Sequence, residues 1–114
     1  MADPTGTWRL VQLGGRPPAA DTNGAVILTF DGDGVLYGMA GVNRVRGTWS
    51  VAGDQLAVGP LAVTMMAGPQ DAMATEAALL ALLDAPLAAT VDADEMRLVA
   101  RDGTEAVLVP DDQG

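Results

Sequence analysis

Three glycines, Gly38, Gly41 and Gly47, interrupt a run that otherwise reads as two adjoining β-strands: Gly38-Met39-Ala40-Gly41-Val42-Asn43-Arg44-Val45-Arg46-Gly47-Thr48-Trp49-Ser50-Val51. Glycine inside a strand pattern marks a bulge, a sharp bend or the close approach of another backbone. Asn43 stands among apolar neighbours, and a buried amide must find partners for its donors and its acceptor. The stretch is expected to be a bent corner of a sheet pinned by one amide, and it does not have the look of a catalytic loop.

Short strands surround that corner. Residues 7–13 read as a first strand, with Trp8 and Leu10 on one face and Arg9 and Val11 on the other. Gly14-Gly15 ends it, and residues 16–24 form the longest irregular segment. Residues 25–30 make a second strand whose Val26, Leu28 and Phe30 face inward. The turn Asp31-Gly32-Asp33-Gly34 returns the chain into a third strand at 35–40. A fourth strand follows at 46–51, with Trp49 and Val51 on one side, and a fifth at 55–58. Gly59-Pro60 breaks the pattern before a short sixth strand at 62–66. Strands at 88–91, 96–101 and 104–109, joined by Asp92-Ala93-Asp94-Glu95 and Asp102-Gly103, complete the sheet.

The single helix is expected over 71–84. Gly68-Pro69 introduces it, since proline is favoured in a first helical turn, and Pro86 stops it. Asp71 and Glu76 lie toward the positive end of its dipole. Met73, Ala77, Leu80 and Leu83 form one stripe with Leu79 and Leu82 beside it. A helix apolar nearly all round is a buried one, and a curved sheet should wrap it so that the helix fills the hollow. The fold class expected is α+β, mainly β: a strongly curved, barrel-like antiparallel sheet of eight or nine short strands packed on one helix. Residues 1–114 form one domain, with a core over about 5–109 and a flexible tail at 110–114.

Gly38-Met39-Ala40-Gly41-Val42-Asn43, the following Gly47-Thr48-Trp49, and Met65-Met66-Ala67-Gly68-Pro69 before the helix resemble the META domain, also called the HslJ-like domain. The opening Gly6-Thr7-Trp8-Arg9-Leu10 and Leu28-Thr29-Phe30 fit the same pattern, so the resemblance runs from about Thr5 to Val109. It implies the same architecture, a bacterial setting in the cell envelope, and a part in stress tolerance; related domains often occur in exported or lipid-anchored proteins. The family often has cysteine where this chain has Val42 and Gly68, so the resemblance implies that these two lie close together and that any thiol or disulfide role is lost here.

The chemistry open to the chain is narrow. It has no cysteine, histidine or lysine, and Ser50 is its one serine. Nucleophile–base pairs, Schiff bases and Cys/His zinc sites cannot be built from what remains. Only carboxylates are left for acid–base work. Asp31 and Asp33 lack the spacing of a calcium loop and read better as a hairpin turn; Asp92, Asp94 and Glu95 read as a solvated turn. No catalytic residue, metal site or cofactor is expected, and the chain is expected not to be an enzyme.

The formal net charge is −9, with 15 acids against six arginines. Nucleic acid and anionic membrane surfaces are therefore disfavoured partners, since both need cationic neutralisation. No apolar run reaches the roughly 20 residues that span a bilayer, and residues 1–6 show no export signal. A soluble monomer is expected. Arg44 and Arg46, at i and i+2 on a strand, share a face and could be joined by Arg9 in a basic island for an acidic partner. Met39, Met65, Met66, Met73 and Met96 read as core filling, with an adaptable apolar groove as the sharper reading. The expected function is a non-enzymatic binding or stability module holding a protein or envelope component. The alternative is a carrier of a small apolar ligand on the concave face of the sheet.

Overall fold

The computed structural model describes residues 3–18 and 26–111. Nine strands and one helix follow one another: β1 (Gly6–Leu13), β2 (Ile27–Phe30), β3 (Val35–Met39), β4 (Arg44–Ala52), β5 (Gln55–Val58), β6 (Ala62–Val63), α1 (Gln70–Leu83), β7 (Leu87–Val91), β8 (Met96–Val99) and β9 (Glu105–Pro110). Every pairing is antiparallel, in the order β3-β2-β1-β9-β8-β7-β5-β4, and β3 pairs β4 to close the ring. The result is an eight-stranded barrel. Closure removes the exposed edges that an open sheet of short strands would present.

β6 stands outside the ring and continues β5. β5 pairs the far half of β4, Trp49↔Val58 to Ala52↔Gln55, and β6 pairs the near half, Val45↔Val63 and Arg46↔Ala62. Between them the register slips by one residue at Gly59-Pro60-Leu61, because proline has no N–H to give the ladder. The expected strand over 62–66 is shorter than the pattern suggests. Beyond Val63 the backbone of Met66 bonds the side chain of Asn43 in place of a neighbouring strand.

Alternation along the strands fills the barrel. Trp8 and Leu10, Leu28 and Phe30, Leu36, Leu56, Leu87, Met96 and Leu98, and Ala106 and Leu108 are buried in one cluster. α1 lies across the end of the barrel where β3 meets β4 and where β7 begins. Its Leu79, Leu82 and Leu83 join that cluster. The helix therefore caps the barrel, and the strands' own side chains occupy the hollow that the helix was expected to fill. Its buried stripe is also turned from the expected one: Ala72, Glu76, Leu79 and Leu83 face inward with Leu82, whereas Ala77 is exposed and Met73 and Leu80 are half-buried. A carboxylate on the inner stripe is the reason, and its partners are described below.

Most of the loop expected at 16–24 lies outside the described residues, as do residues 112–114. Pro110 still belongs to β9, and the Asp111 N–H donates to the Thr7 carbonyl at 3.0 Å. No described helix is long and apolar enough to cross a membrane.

Candidate functional site

The corner between β3 and β4 is closed by one backbone bond, from the Ala40 N–H to the Asn43 carbonyl at 2.9 Å, and the rest of its backbone depends on a side-chain network. Gly41 takes φ +133°, and a Cβ there would stand 3.0 Å from the Ala72 carbonyl and 3.3 Å from the Glu76 Cβ. The helix thus rests directly on the corner backbone, and its first turns bring Glu76 to the N–H groups the bend has orphaned.

Glu76 is 5% exposed. Its Oε1 accepts from the N–H of Val42 at 3.0 Å and of Asn43 at 2.6 Å, and its Oε2 accepts from the Asn43 Nδ2 at 2.8 Å. The Asn43 Nδ2 also donates to the Met66 carbonyl at 3.1 Å. The Asn43 Oδ1 accepts from the Met66 N–H at 2.7 Å and from the Thr64 hydroxyl at 2.9 Å. Thr64 Oγ1 in turn accepts the Arg44 N–H at 3.0 Å. The amide of Asn43 is thereby fully satisfied, the condition under which a buried polar group stabilises a fold. Burial is the largest single influence on the Glu76 carboxyl and pushes it up; the bonds from the Asn43 side chain, the Asn43 N–H and the Val42 N–H together outweigh it and hold the group below the ordinary glutamate value. Both carboxylate oxygens face donors, so this acid is a clasp between helix and corner.

The other motif residues surround the clasp or brace the barrel. Val42 and Gly68 do lie side by side: a Cβ on Gly68 would stand 2.6 Å from the nearest Val42 methyl carbon and 3.4 Å from the Val42 Cβ. Valine fills the space that glycine leaves open. Pro69 precedes α1, and its carbonyl accepts the Met73 N–H at 2.9 Å. Gly38 and Gly47 lie in the β3–β4 ladder, paired with Val45 and Leu36. The Trp49 indole donates to the Asp31 carbonyl at 3.0 Å, and its ring meets Phe30 edge-on at 5.8 Å between centroids.

Outside the clasp runs a shallow groove of about 590 Å³, lined by Tyr37, Met39, Arg44, Arg46, Ala62 and Thr64 over the backbone of Gly38, Val45 and Val63. The ladder sets its pattern. One row across the sheet reads Tyr37, Arg46, Ala62; the next holds Met39 and Arg44, with the Thr64 N–H bonded to the Arg44 carbonyl at 3.1 Å. A second hollow, lined by Met39, Val42, Arg44, Thr64 and Met66, adjoins it. Met65 is 94% exposed, and Tyr37 and Met66 are also exposed.

Arg9 points outward from the barrel wall on β1, three strands from β4. It pairs with Ile27, Ile27 with Met39, and Met39 with Arg44, so Arg9 and Arg44 end one cross-strand row. Three strand steps separate them, about 14 Å measured along the curved barrel wall over Ile27 and Met39, and Arg9 lies outside the groove. None of the three guanidinium groups has an ion-pair partner among the described residues, where the ion pairs are those of Arg97 with Glu95 and Glu105. On a chain with 15 acids, Arg44 and Arg46 stand side by side in one groove with no acid paired to either among the described residues.

The family model described as META domain matches residues 2–113. The chain belongs to the META domain family. This META domain shares its fold with an NMR structure of a protein from Burkholderia xenovorans, at a TM-score of 0.75 and 22% identity over 94% of this chain and 82% of that one. A second NMR structure has a TM-score of 0.75 at 19% identity, covering 96% of each chain. At such identities the likeness is one of fold. No curated protein is a significant match to the chain.

Two members of the clasp, Glu76 and Thr64, escape a reading of the sequence. Glu76 left a trace: it lies on the stripe of Ala72, Leu79 and Leu83, where a carboxylate on an apolar face needs a partner. Thr64 left none. The remaining acidic candidates form local turns. The Asp31 Oδ1 accepts the N–H of Asp33 at 2.9 Å and of Val35 at 3.0 Å, and the Asp92 Oδ1 accepts the N–H of Asp94 at 2.8 Å and of Glu95 at 2.9 Å.

Proposed function

We propose that this META domain is a non-enzymatic binding module that holds an acidic protein or envelope component on its outer face. The observation behind the reading is the groove in which Arg44 and Arg46 stand unpaired between Tyr37 and Met39 on one side and Ala62 and Thr64 on the other. An apolar wall beside unneutralised cations suits a partner carrying both apolar and acidic groups, and the surrounding negative charge turns away most others. A setting in the bacterial envelope and a part in stress tolerance follow from the family resemblance and belong to the same proposal. The filled barrel weighs against a carrier on the concave face of the sheet, because that site would need an open apolar pocket of several hundred Å³ inside the barrel.

The experiment compares the wild type with Arg44→Glu/Arg46→Glu as baits against envelope extracts of the source cell at low ionic strength. Both side chains are exposed, so the double variant should keep its melting temperature within a few degrees and lose the wild type's specific partner. Equal recovery by both baits would remove the groove from the proposal. An apolar molecule retained by both proteins in native mass spectrometry would favour the carrier.

A further inference from the structure

Resting on the binding reading above, we infer that the groove takes an extended peptide whose carboxylates fall at alternate positions, i and i+2. Arg44 and Arg46 point to the same face of one strand. Two residues of strand advance about 6.6 Å, so the guanidinium stems repeat at that interval. An extended peptide repeats its own side chains at the same interval and on one face. Laid along β4, an Asp-x-Asp or Glu-x-Glu segment brings each carboxylate to one arginine. A helical ligand places its same-face residues three or four positions apart and about 5 to 6 Å between Cβ atoms, without the flat backbone the trough requires.

The two rows of the groove repeat one arrangement, an arginine between a large side chain of β3 and a small residue on the other flank. Arg46 has Tyr37 on one flank and Ala62 on the other, and Arg44 has Met39 on one flank with Thr64 beyond it. The repeat therefore selects a repeated ligand. Its residues at i−2 and i+4, on the same face as the acids, are apolar, since Tyr37 and Met66 are exposed and Met39 lines both hollows. Unbranched methionine side chains adapt to varied apolar groups, so the acid spacing fixes the register while the neighbouring residues vary. Charge complementarity favours this ligand over a lipid surface: the arginines are three on a domain of net charge −9, too few to hold it against an anionic bilayer.

The test uses three fluorescent eight-residue peptides of identical composition, two Asp among Val, Thr and Ser. They place the acids at i,i+2, at i,i+1 or at i,i+4, and binding is read by anisotropy at about 20 mM salt. The i,i+2 peptide should bind about three- to fivefold tighter than the others, with the difference shrinking at 0.3 M salt as exposed ion pairs are screened. Arg44→Gln and Arg46→Gln should each weaken the i,i+2 peptide several-fold and leave the i,i+1 peptide almost unchanged. Equal affinity for all three peptides, lost in Arg44→Glu/Arg46→Glu, would overturn the spacing and leave the binding reading standing. Absence of binding to any peptide, or co-sedimentation with phosphatidylglycerol vesicles alone, would overturn the inference. Envelope partners still lost with the double variant would show that the broader reading survives it.

Discussion

Carboxylate sites at opposite ends of the barrel work in opposite ways. At the end capped by α1, Glu76 is buried and bonds groups 33 and 34 residues away. At the other end, Asp31 and Asp92 bond N–H groups two to four residues on, at the surface of hairpin turns. A local bond can form as soon as the turn does, and in its absence water takes its place at small cost. A clasp across 33 residues exists only in the folded chain, and what it holds cannot be reached by water. One acid therefore shapes a turn, while the other joins a helix, a corner and the segment after β6.

The sharpest way to break this comparison is to remove the buried acid. Glu76→Ala leaves the N–H groups of Val42 and Asn43 and one donor of the Asn43 amide without an acceptor. At about 1–3 kcal/mol for each buried orphan, the loss should be about 3 kcal/mol or more by urea unfolding. Asn43→Leu, which leaves the two backbone donors paired, should cost about 1–3 kcal/mol. A loss under about 1 kcal/mol for Glu76→Ala would mean that water enters the corner and that the two ends are alike after all. The pH dependence sharpens the point. The Glu76 carboxyl is held low in the folded chain, so its contribution is complete above the unfolded value of about 4.3 and is lost as pH falls through the lower folded value. Glu76→Gln should flatten that part of the acid limb. The carboxyls of Asp3 and Asp102, lowered by bonds from Thr5 and Thr104, are common to both proteins and cancel in the difference.

The second test stays at the helix end. Gly68→Ala drives a methyl to 2.6 Å from Val42 and should cost about 1–3 kcal/mol, as overpacking does. Val42→Ala in the same chain should recover much of that loss, since the two Cβ atoms would remain 3.4 Å apart. Cysteine at both positions places its Cβ atoms at the short edge of the disulfide range, so oxidation should raise stability by about 3 kcal/mol relative to the reduced protein. Thiol titration and a melt in each redox state would check it. Two free thiols after oxidation would show that the corner and the helix entry do not hold the stated separation.

Much of the fold was legible because it is written in short-range patterns. Alternation marked Trp8 and Leu10 or Leu28 and Phe30 as one face, and the Asp-Gly turns marked the hairpins. Gly41 and Asn43 announced a pinned corner, since glycine and a lone amide in a strand have few other uses. The inward face of α1 was misread because leucine and alanine surround it nearly evenly, and a helix with so little asymmetry does not declare which side is buried. What decided its rotation was Glu76, whose partners lie 33 and 34 residues earlier in the chain. The fading of the sixth strand after Val63 has the same origin: Asn43 takes the Met66 backbone, and no propensity of residues 64–66 records it. For the outer face, the i,i+2 spacing of Arg44 and Arg46 was visible at once, whereas the row linking Arg9 through Ile27 and Met39 needed the registers of three strands.

The smallest expected effect belongs to the far end. Asp92→Ala removes the acceptor for the N–H groups of Asp94 and Glu95, both exposed or half-buried, and water replaces it. The loss should stay under about 1 kcal/mol, a shift of a few degrees in a thermal melt. Asp92→Asn should be milder still, because an amide oxygen accepts the same two bonds and suits the same turn. Neither variant should alter the binding of the acidic peptides, since the turn lies at the end of the barrel away from α1. A loss as large as that of Glu76→Ala would show that the Asp92 turn holds more than itself, and burial and sequence distance would then not separate the two kinds of acid. A difference of several-fold in free energy between the two alanine variants would establish that they do.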